Sequence, residues 1–528
     1  MSVQAGWKQT TPFLIFCVLA YSWGDLLFGI DTGSFGSLQV LPSWLKDFGV
    51  YNAATGTYSM PTSRTSIMNS VVFAGKLVGT MIFEPIAERL GYKKTMCLTA
   101  VLQWPQLTLF VFSQDWIVFT VGRIIAYLAV GVVENCVPSY ISEISPAGVR
   151  GFMSGSMTVL VTLGNLWGAG MSRIYATETR KIGWIIPVAI QFVPALGILA
   201  LVPFTPESPR WLVSKGRTDA ALHSLNRVRP KYDVDQGLTA VEIEAFEQAI
   251  EDAKHLKEGS WLDLFRGTFL RRSWVIALLF WFYQSTGLQF VNLYGPTFYK
   301  QIGAGANAFT YNVIAQACGV LATIVGILAT DHYGRRPPLI IGAAVCVVFN
   351  FMIAGIGSAK NRTDAGNKTV IGSTVFILVG SKMFQCISFL MASEIGGRTM
   401  RKKFMGFGTS IDVLSAFIFS FCMPYLLKTP GANLGPKVGY LIGGNSFFAL
   451  IFSLFYVPEL AGRSLEEMDE LFESRLWAWQ FKGAVTKGVG ARITQLEARH
   501  HGAAEGNDKE EKLNMDDEKQ VDIQREHA

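Results

Sequence analysis

Apolar runs of about 20 residues recur along most of this chain, and each is long enough to cross a hydrocarbon core of about 30 Å as an α-helix. Half of the 528 residues are hydrophobic and only 16% are charged. The mean hydropathy is +0.31. Because a soluble domain of ordinary composition carries more charge, these values predict an all-α membrane protein.

We predict twelve transmembrane helices. Their approximate spans are 12–35, 66–85, 95–113, 116–137, 152–172, 184–204, 273–294, 310–330, 337–357, 371–392, 405–427 and 438–457. The first run has no small-residue cleavage site and carries Asp25 and Asp31. It is therefore expected to remain as the first helix and not to be removed as a signal peptide.

Two polar stretches divide the predicted helices into two sets of six. The expected organisation is a first six-helix bundle over 1–204, a cytoplasmic linker with short amphipathic helices over 205–272, a second six-helix bundle over 273–457 and a cytoplasmic tail over 458–528. The tail is expected to be largely disordered after about residue 503, because it is rich in charge and nearly free of aromatic residues.

An internal repeat supports this division. Three short motifs recur at similar displacements: ERLGYKK from Glu88 and DHYGRRP from Asp331 (243 residues), SEI from Ser142 and Ser393 (251), and Pro-Glu from Pro206 and Pro458 (252). Each lies between corresponding helices of its half. The agreement predicts two similar six-helix pseudo-repeats around a common path.

Two glycosylation sequons suggest the orientation of the chain. Asn361 and Asn367 each begin an Asn-X-Thr sequon in the expected loop between the ninth and tenth helices. This loop should therefore face the outside, and both termini should lie in the cytoplasm. The formal charge of +6 is expected to favour an anionic membrane face, not nucleic acid.

Several motifs occur in an order that resembles one family. They are GIDTGSFGS in the first helix, ERLGYKK, VGRII, PSYISEISPAGVRG, PESPRWL, QSTGLQF, DHYGRRP and PELAGRSLEEMDELF. Together they resemble the sugar porter family of the major facilitator superfamily, and in particular fungal-type monosaccharide transporters. The resemblance implies alternating access by two six-helix halves, with hexoses or related polyols as the usual substrates. It implies no cofactor.

The first helix places Asp31 inside an apolar run, where an ionised carboxylate needs a partner or water. Arg123, early in the fourth helix, matches the arginine that pairs with this aspartate in proton-coupled members of the family. The resemblance therefore implies a proton-coupling role for the pair. A fixed ion pair that only holds the two helices together remains the alternative.

Amide side chains in the seventh helix are the main candidates for substrate binding. Gln284, Gln289 and Asn292 can bond sugar hydroxyls without the desolvation cost of a charge. The resemblance adds pocket positions at which this chain departs from the family pattern: Tyr283, Thr158, Asn165 and Phe389. Any one of these polar groups could instead hold helices together.

Further charges occur in apolar runs: Asp25, Lys76, Glu134 and Lys382. Ionisable groups at this depth are candidates for function. Glu134 follows Arg123 by about three helical turns and is expected on the same face, where it could tune the Asp31–Arg123 pair.

Charged loop motifs predict a gating latch at the cytoplasmic ends of the helices. Opposite charges there could pair across or within the halves and separate when the protein opens inward. The residues are Glu88, Arg89, Lys93, Glu143, Arg150, Asp331, Arg335, Glu394 and Arg401.

These observations favour a plasma-membrane transporter that takes up a monosaccharide, with glucose the leading hexose, by proton symport. The expected partners are a small sugar, a proton and the lipid bilayer, with no nucleic acid, and the monomer is the expected functional unit. Alternatives are a facilitator, or a symporter of another polyol-like solute such as a pentose, inositol, a disaccharide or quinate. A non-transporting sugar sensor is a further alternative. The sequence has no nucleophile–base arrangement or metal-ligand spacing that would indicate an enzyme or a metal site.

Overall fold

The computed structural model describes residues 10–53, 56–146, 149–255, 260–305, 307–359, 363–397, 400–460, 470–474 and 476–483. In this part of the chain, twelve long helical elements follow one another. We number them α1 (Pro12–Leu38), α2 (Thr62–Leu90), α3 (Tyr92–Val111), α4 (Trp116–Ile144), α5 (Arg150–Ile174), α6 (Ile182–Phe204), α7 (Gly267–Gln301), α8 (Asn307–Tyr333), α9 (Arg336–Gly357), α10 (Asp364–Ile395), α11 (Arg401–Leu427) and α12 (Val438–Phe455).

Each of the twelve helices overlaps one of the predicted spans. Ten of those in the described ranges are long and apolar enough to cross a membrane by length and composition. The other two are α3 and α5, which carry more polar side chains, including Gln106 and Asn165, both buried in the protein. A polar face that packs against other helices lowers the hydropathy of a span without exposing it to lipid.

Helix α10 begins seven residues before the predicted span. The side chain of Thr363 accepts a hydrogen bond from the Gly366 backbone N–H, which caps the first turn. Asn367 therefore lies in the first turns of α10, and its expected position in the preceding loop is wrong. Asn361 lies outside the described residues.

Short elements that hydropathy does not predict follow α1. A helix spans Pro42–Phe48, and strand β1 (Val50–Asn52) pairs antiparallel with β2 (Thr57–Ser59). Between α6 and α7 the chain forms the short helices Pro209–Ser214, Thr218–Val228, Lys231–Asp235 and Leu238–His255. The helical spacing of apolar residues predicts helices in this second region. The tail beyond 483, including the region expected to be disordered, lies outside the described residues.

Helices α1 and α5 pack with their backbones almost in contact. A Cβ atom at Gly29 would lie 2.0 Å from the Val161 carbonyl oxygen, and one at Gly33 would lie 2.3 Å from that of Asn165. Gly164 and Gly168 provide the same clearance from the α5 side. Small residues at such an interface let membrane helices approach closely. This approach positions Asp31 and Asn165 within the core.

The two halves are joined by hydrogen bonds at the end of the bundle where α2 begins. Thr62 Oγ1 donates to the Thr429 carbonyl at 2.6 Å, and Ser66 Oγ donates to that of Phe421 at 2.6 Å. Lys300 Nζ, near the end of α7, donates to the Val40 carbonyl at 2.6 Å. This end of the bundle is therefore tied closed between the halves.

Candidate functional site

The seventh helix is interrupted in the middle of the bundle. Its first part ends at Ser285 and its second part begins at Leu288, and Gly287 between them has φ of 125°. A side chain is disfavoured at this φ, so glycine is suited to the break. Asn350 Nδ2 donates to the Thr286 carbonyl at 3.1 Å and thereby satisfies a backbone oxygen that the break leaves free.

A cavity lies beside this break and is lined by both polar and apolar side chains. All seven side chains predicted to bind substrate line it: Gln284, Gln289, Asn292, Tyr283, Asn165, Thr158 and Phe389. The lining thus comes from both halves, since Thr158 and Asn165 lie on α5.

The amides of α7 form a connected network. Gln289 Nε2 donates to Gln284 Oε1 at 2.8 Å, and Gln284 Nε2 donates to Asp412 Oδ1 at 2.5 Å. Separately, Gln316 Nε2 on α8 donates to Oδ1 of Asn292, farther along α7, at 3.2 Å. These amides are buried and held in fixed orientations, as side chains that recognise a neutral polyol need to be.

An ionic bridge crosses the cavity from the first half to the second. Lys76 Nζ on α2 lies 2.9 Å from a Glu134 carboxylate oxygen on α4 and 3.5 Å from Asp412 Oδ2 on α11. All three side chains are largely buried. Glu134 thus pairs with Lys76, and no described hydrogen bond or ion pair joins it to the Asp31–Arg123 pair. The sequence identified Lys76 and Glu134 as charges in apolar runs but not as partners.

Two further ionisable groups line the cavity. Lys382 on α10 donates from Nζ to Gln385 Oε1 at 2.8 Å. Asp25 on α1 is buried, and its Oδ2 has no hydrogen-bond partner among the described residues. The cavity is therefore lined by ionisable groups from both halves as well as by neutral polar groups.

The Asp31 and Arg123 side chains form the expected ion pair. Arg123 Nη2 lies 2.8 Å from Asp31 Oδ2, and the two residues are 1% and 3% exposed, respectively. Arg123 Nη1 also donates to the Met68 carbonyl at 2.9 Å, and Gln191 Nε2 donates to Asp31 Oδ1 at 3.4 Å. These hydrogen bonds offset the desolvation cost of burying both charges.

Tyr127 connects the ion pair to the cavity. Arg123 Nη2 donates to the Tyr127 hydroxyl at 3.3 Å, and Tyr127 lines the cavity. The guanidinium also stacks over the Phe35 ring, with its Cζ 3.5 Å from the ring centroid. A change in the charge of Asp31 would therefore alter the electrostatic potential at side chains that line the cavity.

The repeated charged motifs have equivalent geometry in the two halves. Gly91 and Gly334 both have positive φ, 83° and 91°. After the first glycine, the Tyr92 and Lys93 backbone N–H groups donate to the carboxylate of Glu207. After the second, the Arg335 and Arg336 N–H groups donate to that of Glu459 in the same way.

Other latch residues also bond within one half. Arg335 Nη2 lies 2.6 Å from Glu394 Oε1. Glu143 accepts from the Tyr92 hydroxyl at 3.0 Å and from Ser208, and Lys93 Nζ donates to the Thr205 carbonyl at 3.1 Å. Glu88 and Arg89 are exposed. The side chains of Arg150, Asp331 and Arg401 lie outside the description.

The carboxylate of Glu207 accepts hydrogen bonds from three backbone N–H groups. Burial raises the pKa of Glu207, and backbone hydrogen bonds from Ser208, Lys93 and Tyr92 act in the opposite direction. It ties the start of α3 to the segment that follows α6.

Comparison with solved structures shows the fold. The proton:xylose symporter XylE bound to 6-bromo-6-deoxy-D-glucose matches with a TM-score of 0.67 and 22% identity, over 87% of this chain and 99% of that one. The inward-open conformation of the xylose transporter XylE from E. coli matches with a TM-score of 0.69 and 21% identity, over 87% and 99%. The fold is that of the major facilitator superfamily, with two six-helix pseudo-repeats.

Curated relatives match along most of the chain. The low-affinity glucose transporter HXT3 of Saccharomyces cerevisiae is 26% identical over 476 residues, covering 88% of this chain and 83% of the relative. The major facilitator-type transporter ecdD of Aspergillus rugulosus is 26% identical over 465 residues, covering 85% and 86%. The family model described as "Sugar (and other) transporter" matches residues 16–472. The chain therefore belongs to this family of multi-pass membrane transporters and is not an enzyme.

Proposed function

We propose that this protein takes up a monosaccharide across the plasma membrane by proton symport, with glucose as the leading hexose. The amide-lined cavity at the break of α7 supports a small polyhydroxylated substrate. The names of the curated relatives, which include a low-affinity glucose transporter and a high-affinity hexose transporter, support a hexose.

The observation that carries the proton coupling is the buried Asp31–Arg123 pair, 2.8 Å apart and joined to the cavity through Tyr127. Protonation of Asp31 cancels its attraction to Arg123 and frees α1 relative to α4. Because α1 also packs against α5, this movement reaches Asn165 in the cavity wall. Proton binding and substrate binding are thereby coupled.

In alternating access, one end of the bundle opens while the other end closes. The hydrogen bonds of Thr62, Ser66 and Lys300 close the end where α2 begins, which we propose to be the outer end. A closed outer end is the arrangement expected of an inward-facing state.

The rest of the assignment follows from the same orientation. Both termini lie in the cytoplasm, the region 205–272 is a cytoplasmic linker between the bundles 1–204 and 273–457, and the tail 458–528 is also cytoplasmic. Asn361 and Asn367 face the outside and carry glycan. The monomer holds a complete cavity, so it is the proposed functional unit.

The test is sugar-induced proton movement in energised vesicles that contain the wild-type protein or Asp31→Asn. The variant carries a side chain that resembles the permanently protonated form. It is expected to exchange labelled glucose across the membrane but to neither accumulate it against a gradient nor move protons with it.

The wild-type protein decides between symport and facilitation. If it moves no protons on sugar addition and its uptake stops at equilibration, the protein is a facilitator and Asp31–Arg123 is a structural pair. If it exchanges no sugar at all under conditions where the purified protein remains monodisperse, the monosaccharide assignment fails.

A further inference from the structure

A lysine faces the substrate cavity without a counter-ion among the described residues. Lys382 lies in the middle part of α10 and is 2% exposed. Its ammonium donates to the neutral amide of Gln385, one helical turn away, at 2.8 Å. A buried ammonium with one neutral partner keeps two donors for a further group.

Each carboxylate of the cavity either pairs with another side chain or lies in the first half of the protein, whereas Lys382 lies in the second half. Glu134 and Asp412 share Lys76, and Asp412 also accepts from Gln284. Asp25 belongs to α1 in the first half. Lys382 is thus the cation of the lining that no described carboxylate neutralises.

We propose that Lys382 binds the carboxylate of a substrate, so that the cavity accepts a polyhydroxylated carboxylic acid, such as a uronate or an aldonate. This inference rests on the proposed transport of small polyhydroxylated solutes through the same cavity. The acid group lies at Lys382 on α10, and the hydroxyl groups lie at Gln284 and Gln289 of α7. Neutral hexoses use only the second set.

The charges support a preference for one carboxylate, not two. A single carboxylate forms a charge-assisted bond with Lys382. A second would meet Asp25, Glu134 or Asp412, which also line the cavity. Like charges in a poorly hydrated site repel each other, so a monocarboxylate is preferred over a dicarboxylate.

The test uses purified protein in liposomes and measures exchange of labelled D-glucose in the presence of D-glucuronate, and exchange of labelled D-glucuronate itself. Glucuronate should inhibit glucose exchange by the wild type. Lys382→Gln should weaken this inhibition at least about tenfold, because a hydrogen bond to a charged group is lost. Its apparent affinity for glucose should fall by a smaller factor than its apparent affinity for glucuronate, because glucose makes no charge-assisted bond with this side chain.

Two further variants separate charge from structure. Lys382→Arg keeps the positive charge and should retain glucuronate exchange. Lys428→Gln removes another lysine of the second half, which is half-buried but does not line the cavity, and should behave as the wild type.

The outcomes distinguish this inference from the proposed function. Wild-type glucose exchange that is insensitive to glucuronate refutes the carboxylate subsite and leaves sugar transport intact. Equal weakening of both ligands by Lys382→Gln gives the lysine a structural role and also refutes the subsite. Exchange of glucuronate without glucose keeps the subsite and refutes the neutral hexose. Exchange of neither refutes both.

Discussion

Replacing Gly33 with alanine tests the backbone contact that holds α1 against α5. A Cβ at this position would lie 2.3 Å from the Asn165 carbonyl oxygen and 2.5 Å from its Cα. Both are backbone atoms, so no side-chain rotation relieves the contact. Carbon atoms in favourable contact lie about 3.5–4.0 Å apart, and the two helices must therefore separate by about 1 Å.

The separation has an energetic and a functional effect. Overpacking of a well-packed interface costs about 1–3 kcal/mol. The Asp31 carboxylate, two residues earlier on α1, forms its 2.8 Å contact with Arg123. Since hydrogen bonds weaken steeply beyond about 3.2 Å, a displacement of about 1 Å is enough to impair it. Gly33→Ala should therefore lower both thermal stability and active uptake.

The matched control is Gly170→Ala on α5, the helix that Gly33 of α1 contacts. An added Cβ at Gly170 meets nothing within 4 Å. Both variants are measured for unfolding temperature in detergent by size-exclusion chromatography after heating, and for uptake at equal surface amount. Gly170→Ala should match the wild type. A Gly33→Ala protein with wild-type stability and uptake would refute the close α1–α5 contact.

Further predictions concern the cavity and the orientation. Gln284→Ala and Gln289→Ala should each weaken the apparent affinity for sugar by about 1–3 kcal/mol, as expected when a buried polar partner is lost. Gln284→Ala should have the larger effect, because it removes one hydrogen bond from Asp412 and one from Gln289. Unchanged affinity in both variants at normal surface amount would move the substrate site elsewhere. Protein from a eukaryotic membrane should shift in mobility after glycosidase treatment, and the double variant Asn361→Gln, Asn367→Gln should show no shift. Glycan on the region 205–272 would reverse the orientation.

The sequence predicts the helices well because hydropathy over about 20 residues is a strong signal. It fails where another interaction sets the structure. The start of α10 is set by the Thr363 cap and not by apolar residues. The hairpin of β1 and β2 has three-residue strands, which are too short for a recognisable alternating pattern.

The sequence predicts some of the cavity residues but not the contacts between them. The depth of Asp31 in an apolar run and the amide chemistry of three lining side chains indicate these residues directly. The family resemblance adds Arg123 and the other four lining side chains, because motif positions carry over along the chain. No sequence pattern indicates the ionic bridge from Glu134 through Lys76 to Asp412. Its residues lie on α4, α2 and α11, and their pairing depends on how each helix is rotated within the bundle. Periodicity of a single helix does not determine this rotation.

The ionic bridge across the cavity also gives the transporter a way to discriminate between solutes by their transport rates. Gln284, which lines the cavity, donates to Asp412, and Asp412 is one of the two carboxylates on Lys76. A solute that takes the Gln284 amide removes a bond from Asp412 and leaves Lys76 as its remaining partner in the other half. The contact between the halves is then altered by recognition itself. Two solutes with equal affinity, of which one engages Gln284 and the other does not, are therefore expected to cross at different rates.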